Sequence, residues 1–345
     1  MWLLLGHKAG DNTQVIALAD ALGWPREEKR IFYRTWELLS NRLLGVTLAG
    51  VDRGRSNPLR PPWPELVISS GRRNEPVARW IRQQSGNRTR IVHVGRPWAP
   101  LEAFDLIVST PQYSLPECAN VLVNELPMHR LSPALLAGAR ARWEKELSRF
   151  ASPRIAVLLG GNSGAYVFTR EKARRLGALV NGLARTAGGS VMATDSARTP
   201  PGVMDAFLAA IDVPLHCHRW AGGRTDNPYL GYLALADEFV VTAESMSMVA
   251  EASFAGKPLY LFSLDDGPDW WRRSCNYRFK ALSHRLAMTI GPQRMRRNVD
   301  RILQHLLATH RAAWLGERWP GSLGTRELPD QAQRAALAVA ALFVE

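Results

Sequence analysis

The chain has 345 residues, enough for two domains of ordinary size, and its 46% hydrophobic and 22% charged content matches globular folds rather than disordered or fibrous ones. No apolar run reaches the roughly 18 residues that span a bilayer, and the opening run is shorter than the roughly 7–15 apolar residues of a signal-peptide core. The net charge of +13, carried mostly by arginine, favours anionic partners such as phosphates or an acidic membrane surface. Nucleic acid is disfavoured, because no helix-turn-helix, zinc-finger or RNA-recognition pattern is found.

Along the first half, short apolar runs predict strands at residues 2–5, 29–33, 66–70, 90–94, 106–110 and 120–124. Helical periodicity fills 13–22, 74–84 and 133–150. Residues 53–64, rich in proline and arginine, read as a loop. The second half repeats the plan, with strands at 154–159, 190–194, 213–218, 238–242 and 258–262. Its helices are expected at 169–186, 200–211, 227–236 and 247–255, with Thr169 as an N-cap and Pro201 at a first helical position. Alternation of this kind predicts parallel βαβ units. The expected fold is α/β, two Rossmann-like domains with parallel sheets facing a cleft, divided at Ala151-Ser152-Pro153 into residues 1–150 and 151–345. An Ala-rich amphipathic helix over 329–343 either returns to the first domain or covers its own.

Cys118, Cys217 and Cys275 are odd in number and widely spaced, which suits a reducing, cytoplasmic setting. His216 and His218 would share one face of a strand, but further metal ligands are not in view, and no metal site is expected.

Four strand-to-helix turns are unusually polar. The first runs Gly6-His7-Lys8-Ala9-Gly10-Asp11-Asn12-Thr13-Gln14. Its glycines permit positive φ, Asp11 or Asn12 can cap the helix, and His7 and Lys8 offer a base and a cation. The second, Gly71-Arg72-Arg73-Asn74, sets two arginines against a helix dipole, which makes sense beside a bound anion. His93-Val94-Gly95-Arg96 ends the next strand on the same rim. The third, Gly160-Gly161-Asn162-Ser163-Gly164, lacks both the P-loop and the G-x-G-x-x-G spacing, yet can present N–H groups to a diphosphate. In the fourth, Thr194 to Thr199, Ser196 and Arg198 can face a ligand. A fifth turn, Glu244-Ser245-Met246-Ser247, opens a helix in which Glu251 is placed to receive ribose hydroxyls, with Glu244 in the turn itself. All lie at the carboxyl ends of parallel strands, where open α/β sheets bind ligands.

Residues 236–262, with Glu-Ser-Met-Ser-Met-x-x-Glu-Ala and Gly-Lys-Pro, resemble the donor-nucleotide motif of GT-B glycosyltransferases and sugar-nucleotide 2-epimerases. Together with Gly10-Asp11-Asn12-Thr13-Gln14, Gly71-Arg72-Arg73, Gly160-Gly161-Asn162-Ser163 and Asn227-Pro228-Tyr229, the chain is identified as a bacterial member of the mitochondrial-fission ELM-one family. The GT-B resemblance implies a nucleotide-sugar held by the second domain, an acceptor held by the first, and no metal or other cofactor. Carried onto this chain, it implies Glu251 on the ribose and Gly161, Asn162, Ser163, Ser196, Arg198, Glu244, Ser245 and Ser247 around the phosphates. His7 or Asp11 would then be the general base, with Gly10, Asn12, Arg72 and Arg73 toward the acceptor. One retaining GT-B pattern has two glutamates eight apart, and Glu244 and Glu251 miss it by one. Two functions therefore stay open: transfer of a sugar to a cell-envelope acceptor, and non-catalytic recruitment at a membrane surface. Trp270-Trp271-Arg272-Arg273 and the basic charge suit peripheral docking at an anionic inner membrane.

Overall fold

The computed structural model describes residues 1–34, 45–222, 226–265, 267, 279–290, 296–320 and 330–344. The Trp270–Arg273 segment lies outside the described residues. The chain forms two compact units. Unit 1 comprises Met1–Arg130 with the described parts of Pro292–Asn298 and Leu328–Glu345, and unit 2 comprises the described parts of Leu131–Gly291 and Val299–Glu327.

Unit 1 is built on strands β1 (Trp2–Leu5), β2 (Glu27–Arg30), β3 (Leu66–Ser70), β4 (Arg90–Val94), β5 (Leu106–Ser109) and β6 (Val121–Val123). They form one parallel sheet in the order β2-β1-β3-β4-β5-β6. Because side chains alternate along a strand, Leu3 and Leu5 enter one core while Trp2 and Leu4 enter the other. Helix α1 (Ala9–Leu22) covers the first face through Val15, Leu18 and Ala19. Helix α2 (Asn74–Gln84) covers the second through Val77, Ala78 and Ile81.

Unit 2 opens with helix α3 (Pro133–Leu147). Strands β7 (Arg154–Leu158), β8 (Ser190–Thr194), β9 (Leu215–His218), β10 (Glu238–Thr242), β11 (Leu259–Phe262) and β12 (Ala313–Trp314) make a second parallel sheet, ordered β12-β11-β10-β7-β8-β9. Helices α4 (Arg170–Ala187) and α5 (Val203–Leu208) pack on one face with Leu176, Val180 and Phe207. Gly177 allows this close approach, since a Cβ there would stand 2.6 Å from the Phe207 carbonyl oxygen. Helices α6 (Tyr229–Leu235), α7 (Met246–Phe254), α8 (Phe279–Ile290) and α9 (Asp300–Ala308) complete the unit. None of the described helices is long and apolar enough to cross a membrane.

The last helix, α10 (Gln331–Ala341), returns to unit 1, where Ala335, Ala336 and Val339 join the core beneath α1. Asp330 caps it, its Oδ1 accepting from the N–H groups of Ala332 at 2.9 Å and Gln333 at 3.1 Å. Of the two placements read from the sequence, the return to the first domain is the one observed.

The division expected at residue 150 moves to Arg130, because α3 packs on α6. Gly231 lies so near the Trp143 ring that a Cβ would meet its Cγ at 2.6 Å, and Arg140 donates to the Ala234 carbonyl at 2.6 Å. Thr169 caps α4 as expected, accepting from the Lys172 N–H at 3.3 Å. Pro201 is not a first helical residue, since α5 begins at Val203 behind Gly202, whose φ of 76° is left-handed. The pairs α8 and α9, and the short edge strand β12, were not read from the sequence; they lack the clean alternation of buried strands and covering helices seen elsewhere.

Candidate functional site

In unit 2 the strand order reverses at β7, with β8 added on one side and β10 on the other. Such a switch point leaves a crevice at the carboxyl strand ends. The loops after β7, β8 and β10 all meet there. Gly160 donates its N–H to Thr242 Oγ1 at 2.8 Å, and Gly161 donates to Glu244 Oε1 at 2.7 Å. Asn162 donates to the Arg198 carbonyl at 3.2 Å and Ser163 to the Tyr166 carbonyl at 3.1 Å. Ser196 Oγ donates to the Gly160 carbonyl at 3.0 Å. The Gly160–Ser163 turn is thus brought together with Ser196, Arg198 and Glu244 as expected, but its N–H groups are satisfied within the protein rather than presented to an anion. Spacing alone could not reveal that, because the acceptors for Gly160 and Gly161 lie more than eighty residues away and the one for Asn162 in the loop after β8.

Glu244 is 2% exposed, and its Oε2 has no hydrogen-bond partner. Burial pushes its carboxyl up to about 7, against the opposing bond from the Gly161 N–H and the nearby Arg198 charge. The glycines are required here: a Cβ on Gly160 would overlap the Glu244 carboxylate, and one on Gly161 would overlap the Arg198 carbonyl.

Helix α7 starts beside this cluster. Its N-cap Ser245 makes no side-chain cap; instead its hydroxyl accepts from Arg198 Nη2 at 3.2 Å. The first N–H groups of the helix therefore have neither an intrahelical acceptor nor a serine cap, and a guanidinium stands next to them. Ser247 and Glu251 follow on the same helix, both half-buried. The Tyr229 hydroxyl donates to Glu251 Oε2. Burial pushes Glu251 up to about 7, with the Tyr229 bond pulling the other way. Tyr229 is fixed in turn by Asn227, whose Oδ1 accepts the Tyr229 N–H at 2.9 Å. The Asn-Pro-Tyr motif is therefore an Asx turn that delivers a hydroxyl to Glu251, a role the sequence reading did not assign.

Unit 1 has its own switch point, between β1 and β3. A cavity of about 360 Å³ lies there, lined by His7, Lys8, Asp11, Asn12, Arg72, Arg73, Arg96 and Trp98 among others. Helix α1 begins at Ala9, four residues earlier than expected, so Gly10, Asp11 and Asn12 occupy its first turn. Gly10 is helical and serves no left-handed turn. Neither Asp11 nor Asn12 is the cap: Lys8 holds that position without a side-chain bond. The Asn12 amide instead bonds Gly6 twice, accepting its N–H at 2.9 Å and donating to its carbonyl at 2.8 Å, which fixes the loop rather than reaching for a substrate. Lys8 Nζ stands 3.9 Å from Asp11 Oδ2. His7 is exposed on the cavity wall.

Behind Arg72, the Glu75 carboxylate accepts the N–H groups of Trp98 at 2.6 Å and Ala99 at 2.9 Å, and the Arg72 guanidinium lies 4.8 Å from the Trp98 ring centre. His93 is fully buried, with Nδ1 3.0 Å from Ser69 Oγ and Nε2 3.9 Å from Glu75. Burial lowers its pKa to about 3, so it is a neutral packing residue rather than part of the rim. Its neighbour Arg96 does line the cavity. In unit 2, both ring nitrogens of His216 are taken, Nδ1 by the Tyr232 hydroxyl at 2.5 Å and Nε2 by Glu146 Oε1 at 2.9 Å. Among the described residues no group of three His, Cys, Asp or Glu side chains is arranged to hold a metal.

Solved structures with the same two-unit α/β plan include the UDP-GlcNAc 2-epimerases of Neisseria meningitidis (TM-score 0.50, 11% identity, covering 99% of this chain and 98% of that one) and Methanocaldococcus jannaschii (TM-score 0.50, 9% identity, 99% of each). At that identity the likeness is one of fold, of the GT-B type. In sequence, the chain is 28% identical to the mitochondrial fission protein ELM1 of Arabidopsis thaliana over 226 residues, 59% of this chain and about half (52%) of that protein. It is 23% identical over 299 residues to the uncharacterized protein RP120 of Rickettsia prowazekii, 76% of this chain and 82% of that protein. The sequence model of the Mitochondrial fission ELM1 family matches residues 9–342, and the chain belongs to that family.

Proposed function

We propose that the chain binds a nucleoside-diphosphate sugar on unit 2 and transfers the sugar to an acceptor hydroxyl. The observation that carries this reading is the start of α7. Ser245 leaves the helix end uncapped, Arg198 reaches the Ser245 hydroxyl, and Glu251 sits on the same helix with one oxygen held by Tyr229. A diphosphate at that helix end would meet N–H groups, the positive end of the dipole and a guanidinium. The second oxygen of Glu251 would accept from the ribose hydroxyls.

In the reaction, the acceptor oxygen bonds to the anomeric carbon as the bond from that carbon to the diphosphate breaks. The hydroxyl proton passes to a base, and the nucleoside diphosphate leaves with the bonding pair. The α7 dipole and Arg198 would offset the charge growing on the leaving group, so the scheme assigns no step to a metal ion. His7 and Asp11 of unit 1 are the residues for the base role. A cell-envelope acceptor, with the protein in the cytoplasm against the inner membrane, fits the net charge of +13. The epimerase of Neisseria meningitidis is described as bound to UDP-GlcNAc, which makes uridine diphosphate sugars the first donors to try.

A second reading, a binding protein that recruits partners without turnover, is favoured by the Gly160–Ser163 turn, whose N–H groups are all engaged internally. Thermal unfolding in the presence of uridine and guanosine diphosphates and their sugars separates the two. Stabilisation of the protein that Glu251→Ala abolishes, together with nucleoside diphosphate release that requires acceptor extract, supports transfer. Flat unfolding curves for every nucleotide would refute it.

A further inference from the structure

The unit 1 cavity carries a charge pattern that the fold alone does not explain. Its charged lining among the described residues is Lys8, Arg72, Arg73 and Arg96 against one carboxylate, Asp11. Both helices that start at its edge, α1 and α2, lack side-chain caps and turn their positive ends toward these cations. Like charges gathered at two positive helix ends repel one another and both dipoles. Arg96 is also half-buried, and burial lowers its pKa. An arrangement this unfavourable on its own becomes favourable when an anion enters.

Two of the cations, Arg72 and Arg96, are held in place. Glu75 anchors the backbone of Trp98 and Ala99, and Trp98 supports Arg72 from behind. Arg96 lies over the Tyr113 ring at 5.6 Å and donates to the Arg296 carbonyl at 2.8 Å, so its position is fixed by two contacts within unit 1. Guanidinium forks in fixed orientation match the oxygens of phosphate or carboxylate bidentately, and four cations around one carboxylate suit the multiply charged phosphate. An adjoining cavity of about 470 Å³ shares Gly6, His7, Asn12 and Tyr33 with the first and adds Leu5, Ile16, Arg30, Ile31 and Phe32, giving room for the part of a ligand that follows its charged head.

We propose that the unit 1 cavity binds the phosphate group of a phosphate ester through Lys8, Arg72, Arg73 and Arg96. Identifying that ester as the sugar acceptor rests on the transfer reading given above; the anion site itself does not.

Calorimetric titration of the full chain tests this with glucose 1-phosphate and octyl phosphate, which share the head and differ in the alcohol, and with octyl glucoside as the uncharged control. Both phosphates should bind, the glucoside should not, and the tighter phosphate identifies the alcohol. The double variant Lys8→Gln with Arg72→Gln alters side chains at the cavity rim and should weaken phosphate binding about tenfold or more. It should leave UDP affinity unchanged, whereas Arg198→Gln should do the reverse. Raising salt from 0.05 to 0.5 M, roughly a threefold shorter Debye length, should weaken the phosphates and spare any uncharged binding. The proposal fails if neither phosphate binds at millimolar concentration, or if their binding follows Arg198 rather than Lys8 and Arg72. Phosphate binding that depends on Lys8 and Arg72 with no UDP binding would sustain this site and refute the transfer reading.

Discussion

The backbone N–H of Gly161 donates to Oε1 of Glu244 at 2.7 Å, tying the loop after β7 to the loop after β10 across the switch point of unit 2. The contact is possible only because residue 161 has no side chain. Gly161→Ala would drive a methyl group into the Arg198 carbonyl, and backbone on both sides leaves little room to relax. A loss of about 1–3 kcal/mol is expected, at the upper end of that range. Urea unfolding of the variant measures it, and an unchanged midpoint would contradict the packing described.

Glu244 should make stability depend on pH. Its ordinary carboxyl pKa of 4.5 in the unfolded chain rises to about 7 in the fold, so the folded state holds the proton more tightly. Stability from this group is complete below about 4.5 and is lost as pH rises through 7, by about 3 kcal/mol at about 1.4 kcal/mol per pH unit. Glu244→Gln, which keeps the acceptor for Gly161 and cannot ionise, should gain stability over the parent at pH 8 and lose most of that advantage at pH 5. Denaturation series at the two values give the comparison directly.

Nucleotide binding should tighten as Glu251 ionises. With its carboxyl pushed up to about 7 by burial, binding that uses the carboxylate should strengthen up to about tenfold per pH unit below 7 and level off above it. Tyr229→Phe removes the hydrogen bond that favours the charged form, so the midpoint should move to higher pH. Dissociation constants for UDP between pH 5.5 and 8.5 report the shift. A pH-independent constant for the parent would remove Glu251 from the site.

Asp330 accepts two N–H groups at the start of α10. Asp330→Ala should cost about 1 kcal/mol, the usual value of a lost N-cap. Because α10 packs under α1, the loss should appear as increased hydrogen exchange in α1 as well as in α10, with α4 and α5 unaffected.

Much of this architecture is legible in the residues. Apolar runs such as Ile155–Leu158 and Phe239–Thr242 sit at spacings that only parallel βαβ units fill, and Thr169 and the amphipathic tail behave as their side chains dictate. What escaped the sequence depends on partners distant along the chain. Helix α3 buries only Leu147 completely, so its pattern gives no hint that Trp143 and Arg140 attach it to α6. A Gly-Gly-Asn-Ser turn looks like an open row of donors until Thr242, Glu244, Arg198 and Tyr166 supply acceptors. Tyr229 is an ordinary residue at a helix start until Glu251, twenty-two residues on, receives its hydroxyl.

The return of α10 also sets an order of assembly. Unit 1 receives Ala335, Ala336 and Val339 only after every residue of unit 2 has been synthesised. During translation the side of this core that Ala335, Ala336 and Val339 close must wait while the second sheet is made. Among the described residues the buried side chains of this helix belong to the unit 1 core, so the amino-terminal unit is the one whose core is completed last.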